Sequence, residues 1–439
     1  MQTKIKFVLL SCCLPLFVYA GHLSQLCQKG LKNNPKIKSY RHKTSASHSY
    51  YKQSIDQYKP HLSISGQYGY QRYNLGTDRD KQLYDGATYD YTFALTQPIY
   101  RPKLIHSIKD ADARKQLAHI EQKDQEARLV TQILQASIEV LRDKKIINIL
   151  EKKTALLQKA YDNIHKKYKA KLATNSDLFQ AKAMLHQSRS ELIQSKQKYD
   201  YDKYNLKLIT KVKNVDRYIN HIDFNIKALN QIKKKADITK FKKLIDRNTQ
   251  VKYYKKLIDI AKIQIDIRGS ERMPNIDAVV SYGDAGGSLD AVTRHDSSRA
   301  MLTLSFPIYQ GGYVTDRVEE AKFLLLSSIE EFNNLKQNIS ISIEKAISNI
   351  KSGIETIQAQ KVALNASKQY FESSIQSYKN GMASLTDAYL AESDYRDNQI
   401  KLTNMQADLY LSISEVYYYA GMSQVDNIKR LEKRYFKSK

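Results

Sequence analysis

The 439-residue chain has no tryptophan, 3 cysteines, 7 prolines and 15 glycines. Glycine and proline punctuate turns, so their scarcity argues against a fold of many short elements and predicts long uninterrupted ones. Cys12 and Cys13 lie in an N-terminal apolar run, which leaves Cys27 alone beyond it. One cysteine forms no internal disulfide and no cysteine-based metal site. The 10 histidines make neither an HExxH pattern nor a tight pair, and GxGxxG, Walker and GxSxG motifs are missing. Catalytic residues, a metal site and a cofactor are therefore not expected, and the chain does not read as an enzyme.

What is present is a Lys-, Leu-, Ile-, Ala-, Gln- and Glu-rich background, the palette of long exposed helices, together with 32 tyrosines. Tyrosine favours strands and membrane interfaces, so a mixed helical and strand protein is predicted. The N-terminus sets Lys4 and Lys6 before an apolar core from Phe7 to Phe17 and closes on Val18-Tyr19-Ala20. This predicts a secretory signal over 1–20, cut after Ala20; the run is too short to span a bilayer. Leu9-Leu10-Ser11-Cys12 resembles a lipobox and leaves a lipid-anchored form as the alternative. The net charge of +26 is spread along the helices, with excess at Lys207 to Lys213, Lys233 to Lys235 and Lys240 to Lys243. Export argues against nucleic acid as the partner. A solvated basic surface, or contact with anionic lipid or lipopolysaccharide, accounts for the charge.

Self-comparison shows a duplication. Asn34 to Tyr40 aligns with Asn248 to Tyr253, and Pro60 with Pro274. Thr96-Gln97-Pro98-Ile99-Tyr100 aligns with Ser305-Phe306-Pro307-Ile308-Tyr309, and Tyr168-Lys169, Ala173, Asp177 and Ala181 align with Tyr378-Lys379, Ala383, Asp387 and Ala391. Each copy reads as a helix, two alternating strands, a very long helix, a tight turn and a returning helix. Residues 62–73 place Leu62, Ile64, Tyr68 and Tyr70 opposite Ser63, Ser65, Gln67 and Gln71, and residues 89–97 place Tyr89, Tyr91, Phe93 and Leu95 opposite Asp90, Thr92, Ala94 and Thr96. The second copy repeats this with Ile276, Ala278, Val280 and Tyr282, then Ala300, Leu302, Leu304 and Phe306. Polar connections over Asn74 to Ala87 and Asp284 to Ser298 are read as loops. Strands of this length suit a tilted membrane span, yet four cannot close a barrel, and open edges are not tolerated in lipid. Either the sheet is soluble or several protomers pool their strands.

The predicted organisation is a signal peptide over 1–20 and a first repeat over 21–212, with strands in 61–100 and a helical hairpin over 101–212. A basic linker or equatorial segment follows over 213–243, too basic for a core and read as a partly helical belt. The second repeat covers 244–422, with strands in 275–309 and a hairpin over 313–422, before a basic C-terminal tail over 423–439.

These residues resemble the TolC-like outer-membrane efflux protein family, through Asn34-Pro35, the strand entries at Pro60 and Pro274, Phe306-Pro307-Ile308-Tyr309-Gln310-Gly311-Gly312, and Tyr378-Lys379-Asn380-Gly381 followed by Asp387. The resemblance implies an α+β membrane protein in the cell outer membrane. Its long antiparallel helical hairpins would form a periplasmic barrel, and four strands per protomer would join a 12-stranded β-barrel in a homotrimer. It implies a channel exporting small molecules or polypeptides, working with a periplasmic adaptor (membrane fusion) protein and an inner-membrane transporter of ABC or RND type. By motif position it assigns Asp387 and Asp177 to the channel entrance, and Tyr168, Lys171, Tyr378, Asn380 and Gly381 to the adaptor-contacting tips. Tyr68, Tyr70, Tyr91, Phe93, Tyr282 and Leu304 then face outer-membrane lipid. For Asp387 a helix-capping role competes evenly with the entrance role, and for Asp177 the capping role is favoured.

The pattern also departs from the family. Leu390 stands where some members carry a further acid, and Ala383 where some carry a latching arginine, so a tight latch is not expected. Lys171 stands where the second copy has Gly381, which predicts a differently shaped first turn. Two other classes remain to be separated, a periplasmic adaptor and a structural coiled-coil protein of the envelope.

Overall fold

The computed structural model describes residues 22–75, 82–225, 238–288 and 294–438. The signal segment and Lys233 to Lys235 lie outside the described residues.

The first copy runs through α1 (His22–Asn33), α2 (Pro35–Asp56), β1 (His61–Leu75), β2 (Gln82–Tyr100), α3 (Pro102–Lys169) and α4 (Asn175–Thr210). Short elements α5 (Asp216–Ile219), β3 (Ile222–Phe224) and α6 (Ile238–Lys242) follow. The second copy comprises α7 (Thr249–Gly269), β4 (Asn275–Gly287), β5 (His295–Ser305), α8 (Tyr313–Lys379) and α9 (Leu385–Tyr419), then α10 (Val425–Tyr435) and β6 (Phe436–Ser438). The chain divides into two compact units, one of residues 38–125 and 249–338, the other of residues 22–37, 126–248 and 339–438 among those described.

The strand unit is built on a sheet of order β1-β2-β4-β5, antiparallel throughout. Its register shifts between Pro98 and Tyr100. Proline has no N–H for the ladder, and such residues are accommodated at bulges and strand ends. At this end Arg101 Nε and Nη2 donate to the two carboxylate oxygens of Asp277 at 2.7 and 2.6 Å, tying the start of α3 to β4. The expected loops are shorter than predicted. β1 extends to Leu75 and β2 starts at Gln82, while β4 extends to Gly287 and β5 starts at His295. Cross-strand pairing carries the ladder past the apolar stretch on which the alternation was read. Residues 76–81 and 289–293, the centres of those loops, lie outside the described residues.

The helical unit buries Ile133, Leu134 and Ile138 of α3, Leu206 of α4, Ile343 and Ile347 of α8 and Leu26 of α1, as a sustained three- and four-residue apolar spacing requires. Gly30 lets α1 close on this core, since a Cβ there would collide with the Ile133 side chain. Cys27 is fully buried, and burial pushes its thiol up to about 12, which makes it unreactive.

Two expectations are corrected here. Residues 423–439 are not simply a tail: α10 buries Ile428, Leu431 and Tyr435, and β6 pairs antiparallel with β3. Nor is the segment over 213–243 too basic for a core, because Val215, Tyr218, Ile219, Ile222 and Phe224 are buried. The Phe224 and Phe436 rings pack on Tyr410, with centroids 4.8 and 4.9 Å away, and the Tyr410 hydroxyl donates to the Tyr435 carbonyl. Glu432, almost fully buried, accepts the N–H groups of Leu23 and Ser24, each at 3.2 Å, and so satisfies donors that the start of α1 leaves open. The duplication thus extends further than the sequence alignment, since each returning helix is followed by a short helix and a strand.

Candidate functional site: the strand face and the hairpin turns

The sheet register decides which side chains share a face. Leu62 pairs with Leu95, Leu95 with Val280, and Val280 with Ala300. The next row joins Ile64, Phe93, Tyr282 and Ser298, and Tyr68 lies opposite Tyr89. Ala278 opposite Leu302 and Ile276 opposite Leu304 complete the face towards the helix-proximal end. Tyr68, Tyr70, Tyr91, Phe93, Tyr282 and Leu304 therefore all lie on one face, and the register puts Ser63, Ser65, Gln67, Thr92, Ser281 and Arg299 on the other. The apolar face is open, with Tyr68 83 % and Leu302 74 % exposed. Burying one large apolar side chain contributes about 1.5–3 kcal/mol, and whole domains are held by only about 5–15 kcal/mol. A face this rich in exposed Leu, Ile, Phe and Tyr is a poor match to water.

Beyond the apolar rows the same face turns polar. Tyr70 donates its hydroxyl to Asp85 at 2.6 Å, and Arg72 donates to the same carboxylate oxygen at 3.3 Å. Across the β2–β4 pair Tyr91 donates to Asp284 at 2.7 Å, and Arg294 of the second hairpin donates to the same carboxylate at 3.2 Å. Tyr70 and Tyr91 thus present a ring to the apolar side and a hydroxyl to an acid–arginine pair. Sequence reading missed these clusters because their acids sit in segments taken for loops.

The two hairpin turns lie in the helical unit. At the first, Lys171 donates its N–H to the Tyr168 carbonyl at 2.9 Å and Leu172 to Lys167 at 2.8 Å; at the second, Gly381 donates to Tyr378 at 3.0 Å and Met382 to Ser377 at 2.9 Å. Lys171 and Gly381 are both left-handed, with φ of 59° and 73°. The expectation of a differently shaped first turn is therefore corrected. The bonding of the turn fixes one backbone shape, and a lysine accepts a conformation that costs a non-glycine residue about 1–2 kcal/mol.

Each turn leads into a capping box. Asp177 accepts the Thr174 N–H at 3.0 Å while Thr174 Oγ1 accepts the Asp177 N–H at 3.1 Å. Asp387 and Ser384 repeat the arrangement at 3.3 and 3.1 Å. The Thr174 N–H and hydroxyl hold the Asp177 carboxyl below the usual Asp range. Both acids are thus the third-position partners of capping boxes whose N-caps are Thr174 and Ser384, and Asp387 is the more exposed of the two. Behind the turns Leu157, Ala160 and Ile164 of α3, Ala181 and Leu185 of α4, and Leu385 and Tyr389 of α9 form one core, with Tyr378 against it, so the two turns are packed together. Lys153, buried at the same interface, donates to Asp397 at 2.8 Å and Glu191 at 3.3 Å. Tyr168, Lys171, Asn380 and Gly381 are exposed, and Tyr378 is half-buried, with Lys167 Nζ 5.2 Å from its ring centroid.

A family model for outer membrane efflux proteins matches residues 26–210 and 241–421, interrupted over the basic segment. The chain is 18 % identical over 411 residues to outer membrane protein TolC of Salmonella enteritidis, covering 92 % of this chain and 82 % of that protein. Among solved structures, VceC of Vibrio cholerae superposes with a TM-score of 0.77 at 15 % identity, covering 91 % of this chain and 96 % of that one. The CmeC outer membrane channel of Campylobacter jejuni superposes with a TM-score of 0.77 at 13 % identity, covering 94 % and 89 %. These likenesses show a shared fold of long helical hairpins and a four-stranded sheet.

Proposed function

The chain belongs to the outer membrane efflux protein family, and from this premise we propose that three copies form a channel-tunnel, the outer component of a tripartite efflux or type I secretion system. The observation that supports it most is the sheet: β1 and β5 are edge strands of a sheet with one exposed apolar face. Lipid tolerates neither open edge, because unpaired backbone groups have no water to bond. Alternating strand directions leave β5 of one copy antiparallel to β1 of the next, so three copies of four strands close a ring of 12 without a reversal. The face bearing Tyr68, Phe93, Tyr282 and Leu304 then meets outer-membrane lipid, with Tyr70 and Tyr91 at its polar margin, and the serine- and threonine-rich face lines the lumen.

In this assembly the turns face the periplasm, where an adaptor protein linked to an inner-membrane transporter would meet Tyr168, Lys171, Tyr378, Asn380 and Gly381. Asp387, exposed beside its cap, supplies a threefold ring of carboxylates at the entrance, which favours cations. Asp177 serves chiefly as the partner of Thr174 in the capping box of α4. The protein positions and conducts, and no bond-making step is asked of it.

Planar bilayers test this reading. Purified protein should conduct ions with a cation preference that falls in Asp387→Ala; unaltered selectivity would remove Asp387 from the entrance, and a monomer that opens no pore would remove the channel.

A further inference from the structure

The duplicated turns act as internal controls for one another. Lys166, Lys167, Lys169 and Lys171 of the first copy correspond to Gln376, Ser377, Lys379 and Gly381 of the second. All four lysines are exposed, and Lys166, Lys169 and Lys171 make no ion pair among the described residues. Cations are favourable at a helix C-terminus, but α8 ends in an equivalent turn with Lys379 alone, so helix stability does not call for four. The nearby acid, Asp177, is engaged in its capping box.

A second feature is common to both copies. In a turn of this type, the residue after the left-handed one usually folds an apolar side chain back on to the helix. Here Leu172 is 76 % and Met382 73 % exposed, so both turns present an apolar knob, and the first knob is surrounded by lysines.

We propose that the first hairpin turn is a docking surface for an acidic protein tip that offers an apolar residue to Leu172 and carboxylates to Lys166, Lys169 and Lys171. This rests on the channel reading, in which the periplasmic adaptor meets these turns, and it fixes the sign of the partner's charge there. Exposed ion pairs are individually weak, but a cluster of one sign accelerates encounter, selects the partner and responds to salt. The second turn, with one lysine, supplies apolar contact with little charge selection.

Two synthetic helical hairpins with leucine at the turn, one flanked by glutamates and one by lysines, provide the probe. They are titrated on to the full-length protein in lipid nanodiscs at about 50 and about 500 mM salt. The acidic hairpin should bind about tenfold tighter at low salt and lose that advantage at high salt. The K166E/K169E/K171E variant should reverse the order and K166Q/K169Q/K171Q abolish it, whereas L172S should weaken both hairpins without changing their order. Equal binding of the two probes, or a preference that survives charge reversal in a folded variant, would overturn the proposal. So would displacement of the acidic hairpin by phosphatidylglycerol vesicles, which would assign the lysines to a lipid surface. Bilayer conductance of the same preparation separates the two levels: a conducting pore without charge preference discards the docking surface alone, and a silent one discards the channel.

Discussion

The strand unit and the helical unit solve opposite problems with the same residue types. In the helical unit, isoleucines and leucines at three- and four-residue spacing turn inward and are buried, as at Ile133, Ile343 and Ile347. In the strand unit, leucines, tyrosines and phenylalanines at two-residue spacing stand on an exposed face. Hydrophobic periodicity therefore identifies a face without telling which medium it meets. In the helical unit a neighbouring helix supplies the medium; for the sheet, closure of a ring in lipid is the proposed counterpart.

The largest effect that sharpens this contrast is Ile347→Ala in the buried stripe of α8, which should cost about 2–5 kcal/mol through lost contacts and a cavity, read by thermal unfolding in detergent. Next, Phe93→Lys on the sheet should cost roughly 2–4 kcal/mol of insertion near the bilayer midplane and leave the helical unit's melting unchanged. Normal insertion of this variant would turn the sheet over and break the comparison. At the turns the effects are smaller. Lys171→Gly should stabilise the first turn by about 1 kcal/mol, and Gly381→Ala should destabilise the second by a similar amount, because an L side chain is strained at positive φ. A null result in both would mean that the turns relax independently of the core behind them.

The smallest effect is one of pH. The carboxyl of Asp177 is held low in the folded chain by Thr174, so its contribution is present above the ordinary Asp value and is lost as pH falls through the lowered one. Protection from hydrogen exchange at the start of α4, relative to the intrinsic rate at each pH, should fall below about pH 4 in the natural chain. Asp177→Asn should flatten that dependence; an identical acid profile in the variant would show that the cap carries no linkage.

Much of this was legible in the sequence. Tyr68, Phe93, Tyr282 and Leu304 fell on one face because strand alternation leaves little choice once the strands are assigned. The capping acids Asp177 and Asp387 were readable from Thr174 and Ser384 three residues before them. The exposed knobs Leu172 and Met382 carried a signal that went unread, an apolar residue immediately after the left-handed position in both copies. No local pattern marks β3 and β6, three residues each and 214 positions apart from Ile222 to Phe436, since such short strands have no periodicity of their own.

The sequence by itself determined the duplication, the long helices, the paired strands and the side-chain face of each strand, because all of these follow from local spacing. Only the tertiary structure decided that Lys171 takes the backbone shape of Gly381, that the ladder runs beyond the apolar rows, and that residues 215–224 and 425–436 are packed and partly buried. Each of those depends on partners distant in the chain, through the core behind the turns, the cross-strand register, and the aromatic cluster of Phe224, Tyr410 and Phe436. Local spacing carries no information about which distant segment supplies the missing hydrogen bond or the missing apolar contact.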